Sequence, residues 1–501
     1  MAASQSLSLP ELVTKMQGGN STTCKWDVVC SYSCSHLNSY LQQKYDAGML
    51  AKDVQLSTQI EDPLSGETIT INYDIQFASP TISFDGYDGN ATLKMLMNTG
   101  TITVTAQGGT PESYEIPANT YSVEATNVPL SVINGTTGEI DDQGNIIVFE
   151  DGIINENSII IHFRTSDSNL VSFNITPEPS PDLILVLGTV YLPLLATYFK
   201  TSISEIDYAL ANVNNTPSTN GNLNLTPSSF IFSSMASDDD ASGVLSIYIQ
   251  TKESQNQPGS LEPSFILNNT TYSPIPQGYT ASLIISNSLV SSFINTQFSN
   301  QAFNASYTND TSGSILAKLT ADYSVIANDG GGSTIINHTS YEGLNISLTD
   351  NPISFAINNS EMSITWSGKT SSNWSNYTLG TQAQYGTIDI SISVDESQPI
   401  VLSDNYEIEG TITVTSSQFD TQLSAEKCGI WQTGCSESIP EFYQKLQLSV
   451  PSITIASIGL NFFNTTNLIT PGQNVIQFDT NAGVQTPYDF LLVGNVLSDQ
   501  N

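Results

Sequence analysis

In one segment after another, this chain places an apolar residue at every second position. Ile69, Ile71, Tyr73, Ile75 and Phe77 alternate with Thr70, Asn72, Asp74 and Gln76. The period recurs at Ile102 and Val104, at Val171, Phe173 and Ile175, and at Leu245, Ile247 and Ile249. It returns at Ile353, Phe355 and Ile357, and at Ile388, Ile390, Ile392 and Val394. Successive side chains of a strand point to opposite faces, so this period marks antiparallel strands with one face buried and the other wet. Turn chemistry separates them at Asp85-Gly86, Asp88-Gly89, Asn134-Gly135 and the glycine run 330–332. The expected fold is α+β and β-dominated.

Three stretches carry a helical period instead. Residues 26–48 place Trp26, Val29, Cys30, Cys34, Leu37, Leu41 and Tyr45 at spacings of three and four, with Gly48 as a stop. That spacing predicts one helix with its apolar face, Trp26, Cys30, Leu37 and Leu41, against the concave side of a sheet. Residues 282–298 carry Ile285, Leu289, Phe293 and Phe298. A third candidate spans 183–213 with a break near Pro193. Its start, 183–195, is the nearest approach to a membrane span, and is expected to be a buried helix rather than a transmembrane segment.

A length of 501 residues exceeds one ordinary core. The pattern suggests an N-terminal extension 1–24, a first half 25–215, a polar linker 216–240 and a second half 241–501. Each half would hold one long amphipathic helix followed by strands. No residue-level self-similarity accompanies this division.

Charge narrows the partners. Twelve Lys and Arg stand against 48 Asp and Glu, a formal net charge of -36. Such a field repels phosphate backbones, which excludes nucleic acid, and it repels anionic membrane surfaces. Residues 1–20 contain no apolar core of signal-peptide length, so the chain is expected in the cytoplasm unless released by a non-classical route. Among the five cysteines, Cys428 and Cys435 flank a short loop that a disulfide would close. Cys30 and Cys34 would share a helix face as small hydrophobes. No C-x-x-C pair supports zinc.

A search for chemistry yields no catalytic, cofactor-binding or metal-ligating residue. His36 falls on the polar side of the first predicted helix, His162 in an apolar strand, and His338 in a loop-like Asn-His-Thr. Asp238-Asp239-Asp240 and the stretch 85–90 lack the spacing of a calcium loop, and 330–332 lack the lysine of a phosphate loop. The expectation is a protein that is not an enzyme. It would bind through buried apolar surface, in the seam between a curved sheet and its helix.

Three segments, in order, carry a resemblance. They are Lys25-Trp26-Asp27-Val28-Val29, residues 275–286 (IPQGYTASLIIS), and Thr465-Thr466-Asn467-Leu468-Ile469-Thr470-Pro471-Gly472 followed by residues 486–494 (TPYDFLLVG). Together they resemble the forty-seven-kilodalton accessory-protein family of clostridial OrfX-type neurotoxin gene clusters. That family belongs to the tubular lipid-binding (TULIP) superfamily, whose members wrap a curved sheet around a long helix. The resemblance implies two TULIP-like halves, a lipid or other hydrophobic ligand, and protein partners in an accessory complex. The alternative is a structural, protein-interacting subunit with a filled core and no ligand. It carries over no ligand-binding residues. Related proteins are associated with phosphoinositides; the charge here favours uptake of acyl chains over docking on such headgroups.

Overall fold

The computed structural model describes residues 5–62, 65–84, 90–135, 140–142, 144–150, 152–164, 171–215, 226–236, 243–252, 254, 258–300, 302–308, 315–322, 324–328, 337–341, 344–378, 381–402, 407–409, 418–428, 458–459 and 476–496. Its helices are α1 (Leu9–Met16), α2 (Cys34–Asp46), α3 (Pro181–Thr201, several helical segments in continuous succession) and α4 (Asn287–Asn300). Strands dominate the rest, as the alternation predicts. The runs at 69–77, 102–104, 173–175, 245–249, 353–357 and 388–394 all lie in strands.

A central sheet runs in the order Ile476–Phe478, Phe490–Val496, Ala281–Ile285, Val28–Ser33, Val244–Thr251, Pro227–Met235, Ile147–Val148. Every residue of Val28–Ser33, Val244–Thr251 and Ala281–Ile285 is buried. One face carries Val28, Cys30 and Tyr32 into the main core, which continues under both flanking sheets. The other carries Trp26 and Val29 into a smaller core closed by Leu12 and Met16 of α1.

This corrects the predicted helix 26–48. Its first third is a strand, and only residues from Cys34 onward are helical. A strand buried on both faces has no wet positions, so the period of two vanishes and chance spacings of three and four remain. Leu37 and Leu41 are fully buried on α2, but Trp26 lies across the sheet from them, so the predicted common face does not exist. Residues 282–298 show the same error: the strand Ala281–Ile285 precedes α4.

These two strand-to-helix units are built alike. Ser33 Oγ accepts from His36 N (3.3 Å) at the start of α2, and Ser286 Oγ accepts from Leu289 N (3.2 Å) at the start of α4. Four, eight and twelve residues after each serine come Leu37, Leu41 and Tyr45 on α2, and Val290, Ile294 and Phe298 on α4, all buried. The two strands pair antiparallel with Cys30 opposite Leu283, each three residues before its serine. The junction hydrogen bonds match too, Ser33 N to Thr280 O (3.0 Å) and Ser286 N to Asp27 O (2.8 Å).

Each unit leads into a further antiparallel sheet, and the first of these is strongly bent. In the first, Asn90–Ala106 pairs through its beginning with Thr81–Phe84 and Ser122–Asn134. Through its end it pairs with Thr68–Phe77 and Glu112–Ile116. Register shifts at Gln76/Phe77 and Ala91/Leu93 supply the bend, because an extra residue on one strand of a ladder kinks it. The result curls like a half-barrel. The second sheet is built around the long hairpin Glu361–Thr378 with Thr381–Pro399, and α4 lies on its apolar face, Phe298 edge-on to Phe355 with ring centroids 5.1 Å apart. The predicted loop at His338 is instead part of the strand Asn337–Tyr341. The span 216–240 includes the central-sheet strand Pro227–Met235.

Candidate functional site

The most unusual surface element is α3. Pro181 opens it at a position where a missing N–H is tolerated. From Leu183 to Phe199 no residue is charged. The helix was expected to break near Pro193; it continues to Thr201, and Ala209–Asn214 beyond is a strand. Residues Ile184–Tyr191 are wound as a π-helix, with Leu192 N donating to Leu187 O, five residues back. Pro193 then falls in the first turn of the closing α-helical segment Leu192–Thr201. The wider π turns also explain the burial pattern. Leu183, Leu187, Tyr191, Leu195 and Phe199 face the core at strict intervals of four. An unbroken α-helix with 3.6 residues per turn would carry such a row around its circumference.

Aromatic contacts hold the inner face on the first curved sheet. The Tyr191 ring lies 4.9 Å from that of Tyr73, and Phe199 lies 5.0 Å from Phe163 and 5.9 Å from Phe173. Tyr73 Oη donates to Val186 O at 2.8 Å. Val186, Val190, Leu192, Leu194 and Tyr198 are half-buried against the same core, and Ile184 and Leu185 are the large apolar residues of the helix that stand exposed. The helix expected to be buried is thus buried along one face and half-buried along its flanks. Among the described residues it is the one helix long and apolar enough to cross a bilayer.

The far side of the same sheet is polar. Outward-facing Gln55, Ser57, Asn72, Asp74, Thr101 and Thr103, from three adjacent strands, line a groove of about 570 Å³. Ser57 Oγ donates to Asn72 Oδ1 (2.7 Å) and Gln55 Nε2 reaches Asp74 Oδ2 (3.5 Å). One carboxylate among amides and hydroxyls offers hydrogen bonds but no second acid for proton transfer.

Two buried aspartates sit within the segments that carry the family resemblance. Asp27 Oδ2 accepts from Thr251 N (2.8 Å) and Thr251 Oγ1 (3.0 Å), and its Oδ1 from Ser254 Oγ (2.8 Å). Asp489 Oδ1 accepts from Asn287 N (2.8 Å), the first residue of α4, and Oδ2 from Thr22 Oγ1 (2.8 Å). Burial pushes the Asp489 carboxyl above its ordinary pKa, against the opposing pull of those donors. Sequence reasoning missed both residues. Their signal was an acid embedded in an apolar strand run, Trp26-Asp27-Val28 and Tyr488-Asp489-Phe490. Both tie strands and helix starts together, which is a structural task.

The histidines are not gathered. His36 is on α2 and buried, correcting the expectation of a polar face; burial pushes its pKa down to about 4. His162 follows the strand Glu156–Ile161, also buried. Lys44 is the buried cation of this region. Its Nζ donates to Asp207 O (2.8 Å) and Ala209 O (3.1 Å), and burial lowers its pKa to about 8. Cys30 lies on a strand and Cys34 begins α2, so they do not share a helix face; both are buried thiols in the main core. Among the described residues no three His, Cys, Asp or Glu side chains are grouped as metal ligands. The stretch 85–89, Asp238–Asp240, Gly330–Gly332, Cys435 and Thr465–Gly472 lie outside the described residues.

No protein-family model matches the chain, and no curated protein matches it by sequence. Solved structures are similar to it in fold, two of them as follows. P47 of Clostridium botulinum E1 shares 14% identity at a TM-score of 0.48, covering 95% of this chain and 100% of its own. P47 from Clostridium botulinum A2 shares 14% identity at a TM-score of 0.46, covering 94% of this chain and 98% of its own. The chain is similar to these P47 structures over most of its length.

Proposed function

We propose that this chain is a non-enzymatic binding protein for lipid or another hydrophobic ligand, with two related TULIP-like halves, acting as an accessory component of a toxin-like or secreted assembly. The observation that carries the reading is α3 on the first curved sheet, an apolar helix laid over an apolar concave surface and only partly enclosed by it. Sliding or lifting such a helix by a few ångströms opens apolar surface of the kind an acyl chain fills, without exposing a buried charge. The two matched strand-to-helix units support the paired halves. A repeated serine start, the same intervals on both helices and reciprocal junction hydrogen bonds are what duplication of one unit leaves behind. The scattered histidines and the single carboxylate of the polar groove favour binding over turnover.

One observation favours the second reading, an interaction subunit with a filled core. Leu37 and Leu41 of α2 and Ile294 and Phe298 of α4 are fully buried, leaving no gap beneath those helices. Native mass spectrometry of the purified chain, followed by uptake of a fluorescent fatty acid from solution, separates the two. Stoichiometric co-purifying lipid or saturable uptake supports the ligand reading; a bare chain that takes up nothing supports the filled core.

A further inference from the structure

We infer that the Tyr191 hydroxyl is the polar anchor of a ligand site between α3 and the first curved sheet, and that the site takes a neutral lipid, one carrying an ester or alcohol group. The inference deepens the hydrophobic-ligand reading and rests on it for the apolar part of the ligand. Tyr191 stands in the row of side chains that α3 turns to the sheet, with no exposed surface. Its ring packs on that of Tyr73, 4.9 Å away, but the two hydroxyls differ. Tyr73 Oη donates to Val186 O at 2.8 Å. Tyr191 Oη has no hydrogen-bond partner among the described residues. A hydroxyl taken from water and left unbonded is costly, and native interiors keep few of them. A ligand that supplies an acceptor removes the cost.

The backbone points to the same residue. The π-helical segment Ile184–Tyr191 ends on it, and its eight residues exceed the single turn in which this winding usually occurs. Such turns gather at functional sites. Here the winding aims the phenol: at 3.6 residues per turn, position 191 would be rotated roughly 80° away from position 183. Instead Leu183, Leu187 and Tyr191 all face the core. Beside that row Gly188 leaves a notch, for it is half-buried and a methyl there would meet only Ile184 Cγ1, at 3.8 Å. Val186 and Val190 on the flanks are half-buried and apolar. A hydrocarbon chain lodged there exchanges one apolar contact for another.

The surroundings choose the polar group of the ligand. Burial, with the phenols Tyr73 and Tyr198 adding to it, pushes the Tyr191 hydroxyl above its ordinary pKa, and no acid or base contributes. The hydroxyl therefore stays protonated and donates. A carboxylate or phosphate brought to it would be buried without a counter-charge, which costs more than one hydrogen bond returns. An ester carbonyl or an alcohol oxygen accepts the same bond without that penalty.

The test crosses two ligands with two proteins. A pyrene-labelled monoacylglycerol and a pyrene-labelled alkane are titrated into the full chain, wild type and Tyr191→Phe, at pH 8. The variant is expected to bind the monoacylglycerol about five- to tenfold more weakly than wild type and the alkane equally well. The matching pyrene-labelled fatty acid, ionised at that pH, should bind wild type at least about tenfold more weakly than the monoacylglycerol. Without ligand, Tyr191→Phe should raise the urea midpoint, because it deletes an unbonded buried hydroxyl. A merely structural tyrosine would not combine a gain in stability with a loss of ester binding. Equal monoacylglycerol binding by both proteins, or a lowered midpoint, would overturn the inference. So would an ionised fatty acid bound as tightly as the monoacylglycerol. Saturable binding of the probes that does not depend on the Tyr191 hydroxyl removes the anchor and leaves the hydrophobic-ligand reading standing. No saturable binding of any probe removes both.

Discussion

Replacing His36 with leucine should remove a pH dependence that the wild-type fold carries. His36 lies in the first turn of α2, buried beside Tyr32 with ring centroids 6.2 Å apart, and its Nε2 has no hydrogen-bond partner. Burial lowers its pKa from 6.5 to about 4, because the imidazolium would lose its hydration there. The folded pKa thus lies below the unfolded one, and between the two values the unfolded chain binds more protons. Stability from this group is present in full above about pH 6.5 and is lost as pH falls toward 4. With those two values the loss amounts to about 2 kcal/mol at pH 5 and about 3 kcal/mol at pH 4. Many carboxylates titrate in the same range, so the informative quantity is the difference between wild type and His36→Leu. Urea unfolding from pH 7.5 to 4.5 should show the wild type losing stability relative to the variant as acid is added. A difference that stays flat across that range would refute the assignment of His36 as a buried neutral imidazole.

Leu37→Ala, at a fully buried position on α2, should cost about 2–5 kcal/mol, measured by urea unfolding at neutral pH. Asp489→Ala would strand the buried donors Thr22 N, Thr22 Oγ1 and Asn287 N, and should cost roughly 3 kcal/mol, with loosening of the α4 N-terminus visible as faster amide exchange. Gly259→Ala would drive its new methyl into the Trp26 indole, and should destabilise by about 1–3 kcal/mol with a shift in tryptophan emission. A wild-type emission spectrum and midpoint for that variant would show that the Trp26 pocket is looser than its contacts indicate.

What the sequence reveals depends on whether a strand has a wet side. The alternation at 69–77 is legible because Asn72, Asp74 and Gln76 face solvent, and the strand is found there. Val28–Ser33 has no exposed residue, so Trp26, Val29, Cys30 and Cys34 read as a helical stripe although the first three lie on or beside a strand. The residue-level likeness of the two strand-to-helix units is hidden for a related reason. It resides in a serine and three apolar positions, and apolar positions exchange freely: Leu37 against Val290, Leu41 against Ile294, Tyr45 against Phe298. For α3, the apolar run was plain, but its exposure was not. Which side of a uniformly apolar helix meets the sheet is decided by partners outside the helix, Tyr73, Phe163 and Phe173, the first of them more than 100 residues away in the chain.

The pairing of Val28–Ser33 sets a clock on synthesis. Val28 finds its neighbours at Ile249 and Ile285, so this strand leaves the ribosome long before either exists. At typical rates of about 5–20 residues per second, the wait for Ile249 alone is roughly 10–50 s. The bent sheet differs: Asp53–Glu61 pairs with Thr68–Phe77 across a short connection and can form at once. The nascent chain therefore carries a strand destined for burial on both faces with no place to pair, while local hairpins assemble around it. The strand Ala281–Ile285 waits in turn for Phe490–Val496. Until their partners arrive both strands carry unpaired edges, the kind of segment through which nascent chains associate.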